Sequence, residues 1–377
     1  MRPKYKVADV LNRHQDHLDK LCSNAWKSRI LHALRKCRTV ALGGHIDKCD
    51  CCNKIHLSYN SCRNRHCPTC QGHKRQQWIQ AREKELLNVP YFHVVFTIPH
   101  ELNELSIKQP ALVYTALFKA SWETLSQFAE NPKHLGARLG MIALLHTWGQ
   151  NLQLHPHLHC IVPSGGVIKN GNWKKSKNKG TFLFCVKSMS RVFRAKFVAQ
   201  LRKNNKDIPQ SLFDKLFKKN WVVYAKKSFQ NTSSVIEYLG RYSHKVAISN
   251  HRIVQLDNQN NRVSFSLKNY KKNSKKEILS LDQKEFIRRF SLHILPKGFT
   301  RIRHYGILSG TWKKKHLKKL QNQLLKGKKK IKIEIKSLLH VCPSCKKGTL
   351  RTILAFNKYH PPPMKWIEQL KNQTQND

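Results

Sequence analysis

Three histidines occupy alternate positions in the stretch "HPHLHCIV", residues 155–162. In an extended strand, His157 and His159 project from one face, whereas Leu158 and Cys160 project from the other. Two imidazoles side by side on a sheet provide two ligands for a metal ion. A strand that merely carries buried histidines is the alternative, and the histidines alone do not decide between the two.

A pair of tyrosines follows about eighty residues later, in "SSVIEYLGRYSHKV". Tyr238 and Tyr242 are four residues apart, so on a helix their phenols share one face. Such a pair is more often core packing when it stands alone. A tyrosine hydroxyl is, however, a nucleophile suited to phosphodiesters, and a divalent ion on His157 and His159 would polarise the scissile phosphate.

The predicted metal site is incomplete with two imidazoles, because a hard octahedral cation takes more ligands. A third protein ligand is therefore expected. The candidates are Gln150, His155 and Glu237.

A cysteine-rich segment, "CDCCNKIHLSYNSCRNRHCPTCQ", predicts a second kind of metal site. Cys49, Cys52, Cys67 and Cys70 form two CxxC pairs separated by fourteen residues. Each pair can grip zinc from a tight turn, which is the zinc-ribbon arrangement, and incidental buried cysteines are the alternative. Four neighbours could replace a member of this set, namely Cys51, Cys62, His45 and His66.

Two other features accompany the cysteines. Arg63 and Arg65 flank the second pair and are predicted to contact phosphates, although they could equally be a solvated face. The late "CPSC", which contains Cys342 and Cys345, is half a zinc site, and His340 and His360 are the candidates to complete it.

The charge of the chain indicates a polyanionic partner. Lysine and arginine number 71 against 21 acidic residues, and the formal net charge is +50. Nucleic acid is favoured, because neutralising phosphates releases condensed counterions; a ribosome-associated or merely basic protein is the alternative. The chain has no run of about 18 apolar residues and no signal-peptide pattern, so we expect a cytoplasmic protein with reduced thiols and no membrane partner.

The spacing of apolar residues predicts the elements that must position these groups. Helices are expected at 10–36, 72–89, 104–130, 188–204 and 233–246, and strands at 91–99, 140–150, 155–166, 181–186 and 220–227. A hairpin is expected at 251–270 and a surface loop at 169–180. Because strands and helices alternate, the middle of the chain is predicted to be an α/β or α+β layer built on one sheet.

The ordered motifs resemble those of the two-tyrosine HUH rolling-circle transposases, the insertion sequence ninety-one family. The matching blocks are "SCRNRHCPTCQ", "HVVFTIP", "HTWGQNLQLHPHLHCIVPSGG", "YLGRYSHKVAISNHRI" and "LPKGFTRIRHYGILS". The resemblance implies an α+β fold with three domains. These are an amino-terminal helical and zinc-ribbon-like DNA-binding domain (1–90), an HUH catalytic domain with a central antiparallel sheet flanked by helices (91–275), and a basic, largely helical carboxyl-terminal region (276–377).

The same resemblance implies the chemistry. Such enzymes cleave and rejoin single-stranded DNA at transposon ends with Mg²⁺ or Mn²⁺, through a 5′-phosphotyrosine that leaves a free 3′-hydroxyl. His157 and His159 are then metal ligands, with Gln150 as the preferred third. Tyr238 and Tyr242 are the nucleophiles, and Arg241 lies between them as a DNA-binding residue.

The implied partners are transposon-end and target DNA and the host replication machinery, in the nucleoid of a bacterial cytoplasm. Two alternatives remain at this point. A replication initiator or relaxase would use the same chemistry for another purpose, and a non-catalytic zinc-dependent nucleic-acid binder would need neither histidines nor tyrosines.

Overall fold

The computed structural model describes residues 3–22, 24–177, 183–229, 235, 245–269, 272–325 and 341–375. Its helices are α1 (Val7–Arg13), α2 (Leu18–Leu21), α3 (Ala25–Arg35), α4 (Gln71–Glu83), α5 (Asn103–Lys108), α6 (Pro110–Glu130), α7 (Val186–Asn204), α8 (Gln210–Lys218), α9 (Gln283–Leu292), α10 (Gly310–Leu325) and α11 (Met364–Gln375). Its strands are β1 (Gly44–Cys49), β2 (Ile55–Tyr59), β3 (Tyr91–Thr97), β4 (Gly140–Trp148), β5 (Leu154–Pro163), β6 (Gly165–Val167), β7 (Trp173–Lys175), β8 (Val223–Phe229), β9 (Ile253–Asp257), β10 (Arg262–Asn269), β11 (Lys275–Asp282), β12 (Ile302–Gly306) and β13 (Leu350–Phe356). Four residues of the predicted tyrosine helix lie outside the described residues, as does His340; the four are Glu237, Tyr238, Arg241 and Tyr242.

The chain forms two compact units, each made of separated segments. One unit comprises 1–76, 248–294 and 334–377, and the other comprises 77–247 and 295–333. The division predicted from sequence used three continuous segments, whereas here the late part of the chain returns to both units. Pairing of β12 with β4 and of β13 with β1 is the physical reason, because each late strand completes a sheet begun much earlier.

The second unit is built on a five-stranded sheet in the order β12-β4-β5-β3-β8. All four neighbouring pairs are antiparallel. Its strands are rich in β-branched and aromatic residues, such as "YFHVVFT" in β3, which favour a pleated, buried surface. The predicted α+β class with a central antiparallel sheet is confirmed.

The two faces of this sheet bury different layers. One face presents alternate residues such as Leu158 and Cys160 to a large apolar core that α6 and α7 complete. The opposite face presents Ile142, Leu144 and Ile161 to a smaller core that includes Leu320 of α10. Helices on both faces therefore fix the sheet as a rigid platform for its remaining side chains.

The first unit holds two three-stranded sheets and several short helices. The sheet orders are β13-β1-β2 and β11-β10-β9, and all pairs are antiparallel. Asn24 caps α3 by accepting a hydrogen bond from the backbone N–H of Lys27 at 3.0 Å, and Asp282 caps α9 in the same way from Lys284 at 2.8 Å. His14 Nε2 lies 3.1 Å from Gln283 Oε1, which joins the end of α1 to the start of α9.

Two local predictions were wrong. The apolar run at 181–186 is not a strand where it is described, because Leu183 and Phe184 enter the core from an irregular segment and α7 begins at Val186. A short apolar run can be buried without joining a sheet, and periodicity alone cannot tell the two apart. The predicted loop at 169–180 contains β7, which pairs with β6.

Candidate functional site

The histidine strand is β5, and its alternation is as predicted. Leu158 and Cys160 are fully buried in the apolar core, so His157 and His159 lie on the opposite face of the sheet. The register of the neighbouring strand β4 sets His146 directly opposite His157. The β4–β5 hairpin therefore brings a third imidazole to the pair.

The three imidazoles form a compact cluster, which we call the histidine triad: His146, His157 and His159. One ring nitrogen from each lies within 4.8 Å of the other two, and the Nε2 atoms of His157 and His159 are 3.1 Å apart. Two ligand atoms each about 2.1 Å from one ion lie roughly 3.0–3.4 Å apart. The spacing therefore fits a metal ion held between the rings.

Two members of the triad, His157 and His159, are neutral near pH 7. Burial lowers the pKa of His157 to about 4, and burial together with the neighbouring His157 lowers the pKa of His159 well below its ordinary value. A neutral imidazole keeps a lone pair on one ring nitrogen, whereas a protonated one has none. Burial thus keeps the rings in the form that can bind a cation.

Hydrogen bonds orient two of the rings. His157 Nδ1 donates to the backbone oxygen of His155 at 2.6 Å, which leaves the lone pair on Nε2. His159 Nδ1 lies 2.9 Å from Nε2 of His93, a buried residue of β3 whose ring stacks on that of His159. Metal-binding histidines usually bond a second group through the other ring nitrogen in this manner, which fixes tautomer and orientation.

Cationic side chains lie beside the triad. Arg301 and Lys245 both contribute to lowering the pKa of His159, after burial and the neighbouring histidines. The Arg301 guanidinium lies over the Trp148 ring at 5.3 Å, and Trp148 stacks on His146 at 4.7 Å between ring centroids. Arg301 also donates from Nε to the backbone oxygen of Leu145 at 3.2 Å. This side of the triad can attract a phosphate.

The third member of the triad was not among the predicted third ligands. His155 is exposed and contributes its backbone oxygen to His157, and Gln150 lies in the turn after β4. His146 could have been found from the hairpin register, because a five-residue turn between the strands sets it opposite His157. The role proposed for Gln150 stays a prediction.

The cysteines form two clusters rather than the predicted single ribbon. In the first, Cys67 and Cys70 lie with Cys37 and Cys62, and one sulfur from each is within 4.8 Å of the others. Cys62 was considered as an alternate, whereas Cys37 was missed because it stands alone in the sequence, outside any CxxC pair. Cys62 Sγ and Cys70 Sγ are 3.7 Å apart.

The second cluster unites the other predicted pair with the late "CPSC". Cys49 and Cys52 lie with Cys342 and Cys345, again with sulfurs within 4.8 Å of one another. The prediction that Cys49 and Cys52 share a zinc ion with Cys67 and Cys70 is therefore not supported by the geometry. The prediction grouped cysteine pairs that are close in sequence. In the structure, the pairing of β13 with β1 brings the partners of Cys49 from the other end of the sequence.

The remaining candidates around the cysteines play other parts. Cys51 is exposed, His66 accepts a hydrogen bond from Arg65 Nε at 3.3 Å, and His45 lies 3.3 Å from an Asp47 carboxylate oxygen. Arg63 is exposed next to Cys62, and burial lowers the pKa of the half-buried Arg65.

Two family models match the chain. Residues 10–98 match the IS91-type "Transposase zinc-binding domain", and residues 140–316 match the family described as "Putative transposase". The first range contains every cysteine of the first cluster, and the second contains the whole histidine triad.

Curated relatives agree with these matches. "Putative transposase y4qJ" of Sinorhizobium fredii is 38% identical over 392 residues, which cover 96% of this chain and 98% of that protein. The chain belongs to the insertion sequence ninety-one (IS91) family of transposases. "Transposase for insertion sequence element IS801" of Pseudomonas savastanoi pv. phaseolicola is 28% identical over 290 residues, covering 72% of this chain and 68% of that relative. The family resemblance drawn from the motifs is confirmed.

Solved structures similar to this family member include the conjugative relaxase TrwC in complex with OriT DNA. The match to its metal-bound structure covers 63% of this chain and 72% of the relaxase chain, at 14% identity and with a TM-score of 0.26. The match to the copper-bound structure covers 86% of this chain and 97% of the relaxase chain, at 11% identity and with a TM-score of 0.25. No helix in the described part of this transposase is long and apolar enough to cross a membrane.

Proposed function

We propose that this transposase cleaves and rejoins single-stranded DNA at transposon ends through a 5′-phosphotyrosine, with a divalent ion held by the histidine triad. The observation that carries the proposal is the convergence of three imidazoles on one sheet face, inside the transposase match. The protein would act in rolling-circle transposition.

His146, His157 and His159 are the proposed protein ligands, and Gln150 is close enough in sequence to His146 to remain a candidate for a further position. Mg²⁺ or Mn²⁺ bound there would polarise the scissile phosphate and stabilise its developing charge. His93 and the backbone oxygen of His155 hold two of the rings in place. Three nitrogen ligands would leave room for phosphate oxygen and water to bind the same ion.

Tyr238 and Tyr242 are the proposed nucleophiles. The phenolic oxygen attacks the phosphorus, the bond to the 3′ oxygen breaks, and the phosphate stays on tyrosine as a 5′-phosphotyrosine while the 3′ oxygen takes a proton. A second tyrosine one helical turn away allows a second cleavage before the first intermediate is resolved. Cleavage and strand transfer then proceed without hydrolysis between them.

DNA binding is proposed to draw on the positive charge of both units. Arg301 and Lys245 lie at the triad, Arg63 and Arg65 lie at the first cysteine cluster, and Arg241 lies between the tyrosines in sequence. Backbone contacts of this kind position a nucleic acid without reading its sequence. The partners are transposon ends, target DNA and the host replication machinery, in the bacterial nucleoid.

A cleavage assay tests this proposal. A labelled single-stranded oligonucleotide that carries a transposon end is incubated with the full chain and Mn²⁺. We expect cleavage that a chelator abolishes and that His146→Ala or His157→Ala reduces to background. His155→Ala is the matched control, because it removes an exposed imidazole but keeps the backbone oxygen that orients His157. Equal cleavage by His157→Ala and the wild type would exclude the metal role of the triad.

A further inference from the structure

Two cysteine pairs that lie almost 300 positions apart in sequence meet in the first unit. Cys49 Sγ is 3.7 Å from Cys345 Sγ, and the two residues are 296 positions apart. Cys52 Sγ is 3.7 Å from Cys342 Sγ, across 290 positions. Cys49 and Cys342 are fully buried, so this is an interior site rather than a chance approach on the surface.

The sulfur spacing fits a metal and not a disulfide. Four thiolates arranged tetrahedrally at about 2.3 Å from one zinc ion lie roughly 3.8 Å apart, whereas disulfide sulfurs are about 2.05 Å apart. The two cross-pair distances of 3.7 Å match the first geometry. All twelve cysteines of the chain are unbridged.

The backbone around both pairs has the same unusual form. Asn53, directly after Cys52, has φ of 56°, and Lys346, directly after Cys345, has φ of 59°. Residues other than glycine rarely adopt this left-handed conformation, so its occurrence at equivalent positions points to a functional constraint. Backbone N–H groups also approach the sulfurs, from Cys52 to Cys49 Sγ at 3.5 Å and from Gly348 to Cys345 Sγ at 3.3 Å.

The neighbouring strand holds the two halves together. β13 pairs with β1 from Gly44 opposite Phe356 to Cys49 opposite Leu350, so β1 is the central strand of its sheet. At Gly348, a Cβ atom would lie 2.5 Å from Cys49 Sγ and 2.5 Å from Cys51 Cβ, so any larger residue would have to displace its neighbours. The late segment is therefore fitted closely to the early turn.

We infer that the protein binds a second structural zinc ion through Cys49, Cys52, Cys342 and Cys345, which fastens the carboxyl-terminal segment to the amino-terminal sheet. The family's zinc-binding domain matches residues 10–98, and the first cluster lies wholly within that range. The second site needs two ligands from far outside it. The zinc-binding domain of this chain is thus completed by its carboxyl-terminal segment, a property independent of the proposed cleavage chemistry.

Zinc content measured by elemental analysis of the purified full chain tests the inference. We expect two zinc ions per wild-type chain and one in the Cys342→Ser, Cys345→Ser double variant. The control removes an exposed thiol outside the cluster instead, Cys185→Ser, and should keep both ions. One zinc ion per wild-type chain, or two in the Cys342 and Cys345 double variant, overturns the inference.

Alkylation of the wild-type chain gives a residue-specific result that does not depend on the variants folding. Cys52 and Cys345 are only half-buried, so a bound metal rather than burial would shield them from iodoacetamide. We expect mass spectrometry to find both unmodified in the zinc-loaded chain and modified after chelation, with Cys51 and Cys185 modified in each. Alkylation of Cys345 at the rate of Cys51 in the zinc-loaded chain contradicts the inference.

Discussion

At the scale of single residues, the site depends on keeping imidazoles neutral and correctly oriented. Burial accounts for the first, since it lowers the pKa of His157 and His93 to about 4 each. Hydrogen bonding orients the rings, and His93 is the side chain that orients His159. His93 was not predicted, because an apolar strand with one histidine gives no sign of which neighbour that histidine meets.

Replacing His93 tests its positioning role. We expect His93→Ala to weaken Mn²⁺ binding by about 10–100-fold, the usual effect of removing a group that orients a metal ligand. Calorimetric titration of the full chain measures the affinity. His155→Ala serves as the comparison and should bind Mn²⁺ normally; an equal loss in both variants would show that His93 has no special role.

The sequence predicted His157 and His159 correctly as a same-face pair because strand alternation is a local property. His146 and Cys37 were missed for a different reason. Each joins its cluster through pairing or packing between segments, and neither carries a local signature. The roles of Tyr238 and Tyr242 rest on their spacing and on the family motif, since they lie outside the described residues.

At the scale of secondary structure, the late strands β12 and β13 determine how the sites are built. β12 pairs with β4 and places His304 opposite Ile142, on the edge strand of the five-stranded sheet. β13 places Gly348 and the turn before it against Cys49. Neither pairing was predicted, because strands that lie more than 150 positions apart in sequence leave no periodic signal.

The close approach at Gly348 gives a prediction about packing. We expect Gly348→Ala to lower the free energy of unfolding by about 1–3 kcal/mol, because the new methyl group overpacks the turn. Loss of one zinc ion should accompany it. Gly310→Ala is the control, since a Cβ there meets nothing within 4 Å. Urea unfolding measures the stability of both variants. Equal stability of the two would contradict the close packing at Gly348.

His304 gives a prediction about pH. Burial, and then Lys313 and Arg82, lower its pKa to about 4 from an ordinary value of 6.5, and Arg82 Nη1 donates to His304 Nε2 at 3.4 Å. The unfolded chain therefore takes up a proton at higher pH than the folded chain, and stability present above pH 6.5 is lost as the pH falls towards 4.

Thermal unfolding at pH 7 and pH 5 checks this effect. We expect a lower Tm at pH 5 for the wild type and a smaller decrease for His304→Gln, which cannot take up the proton. Some decrease should remain in the variant, because His93 also has a lowered pKa. An equal decrease in Tm for the wild type and His304→Gln would mean that His304 does not contribute to the pH dependence of stability.

At the scale of the whole molecule, a formal charge of +50 predicts binding dominated by phosphate neutralisation. If about five phosphates of a single strand are neutralised, affinity falls about 100-fold between roughly 50 and 200 mM salt. Fluorescence anisotropy with a labelled oligonucleotide measures the slope. An affinity independent of salt would show that the charge does not drive binding.

Whole-molecule organisation was the least predictable level. The class of fold and the family were predicted from ordered local motifs. The two compact units were not predicted, because each is made of segments that are separated in the sequence. The "CPSC" pair illustrates the reason. It was recognised as half of a metal site, with His340 or His360 expected to complete it. Its partners in the structure, Cys49 and Cys52, had been grouped with Cys67 and Cys70, which are nearer to them along the chain and belong to another cluster.

The most direct test of the proposed chemistry is the covalent adduct. The full chain is incubated with Mn²⁺ and a labelled single-stranded transposon end, and the labelled peptide is identified by mass spectrometry. We predict 5′-phosphate linked to Tyr238 or Tyr242, and no adduct in the Tyr238→Phe, Tyr242→Phe double variant. Absence of any adduct despite cleavage, or an adduct that survives the double substitution, would contradict the assignment of these tyrosines as nucleophiles.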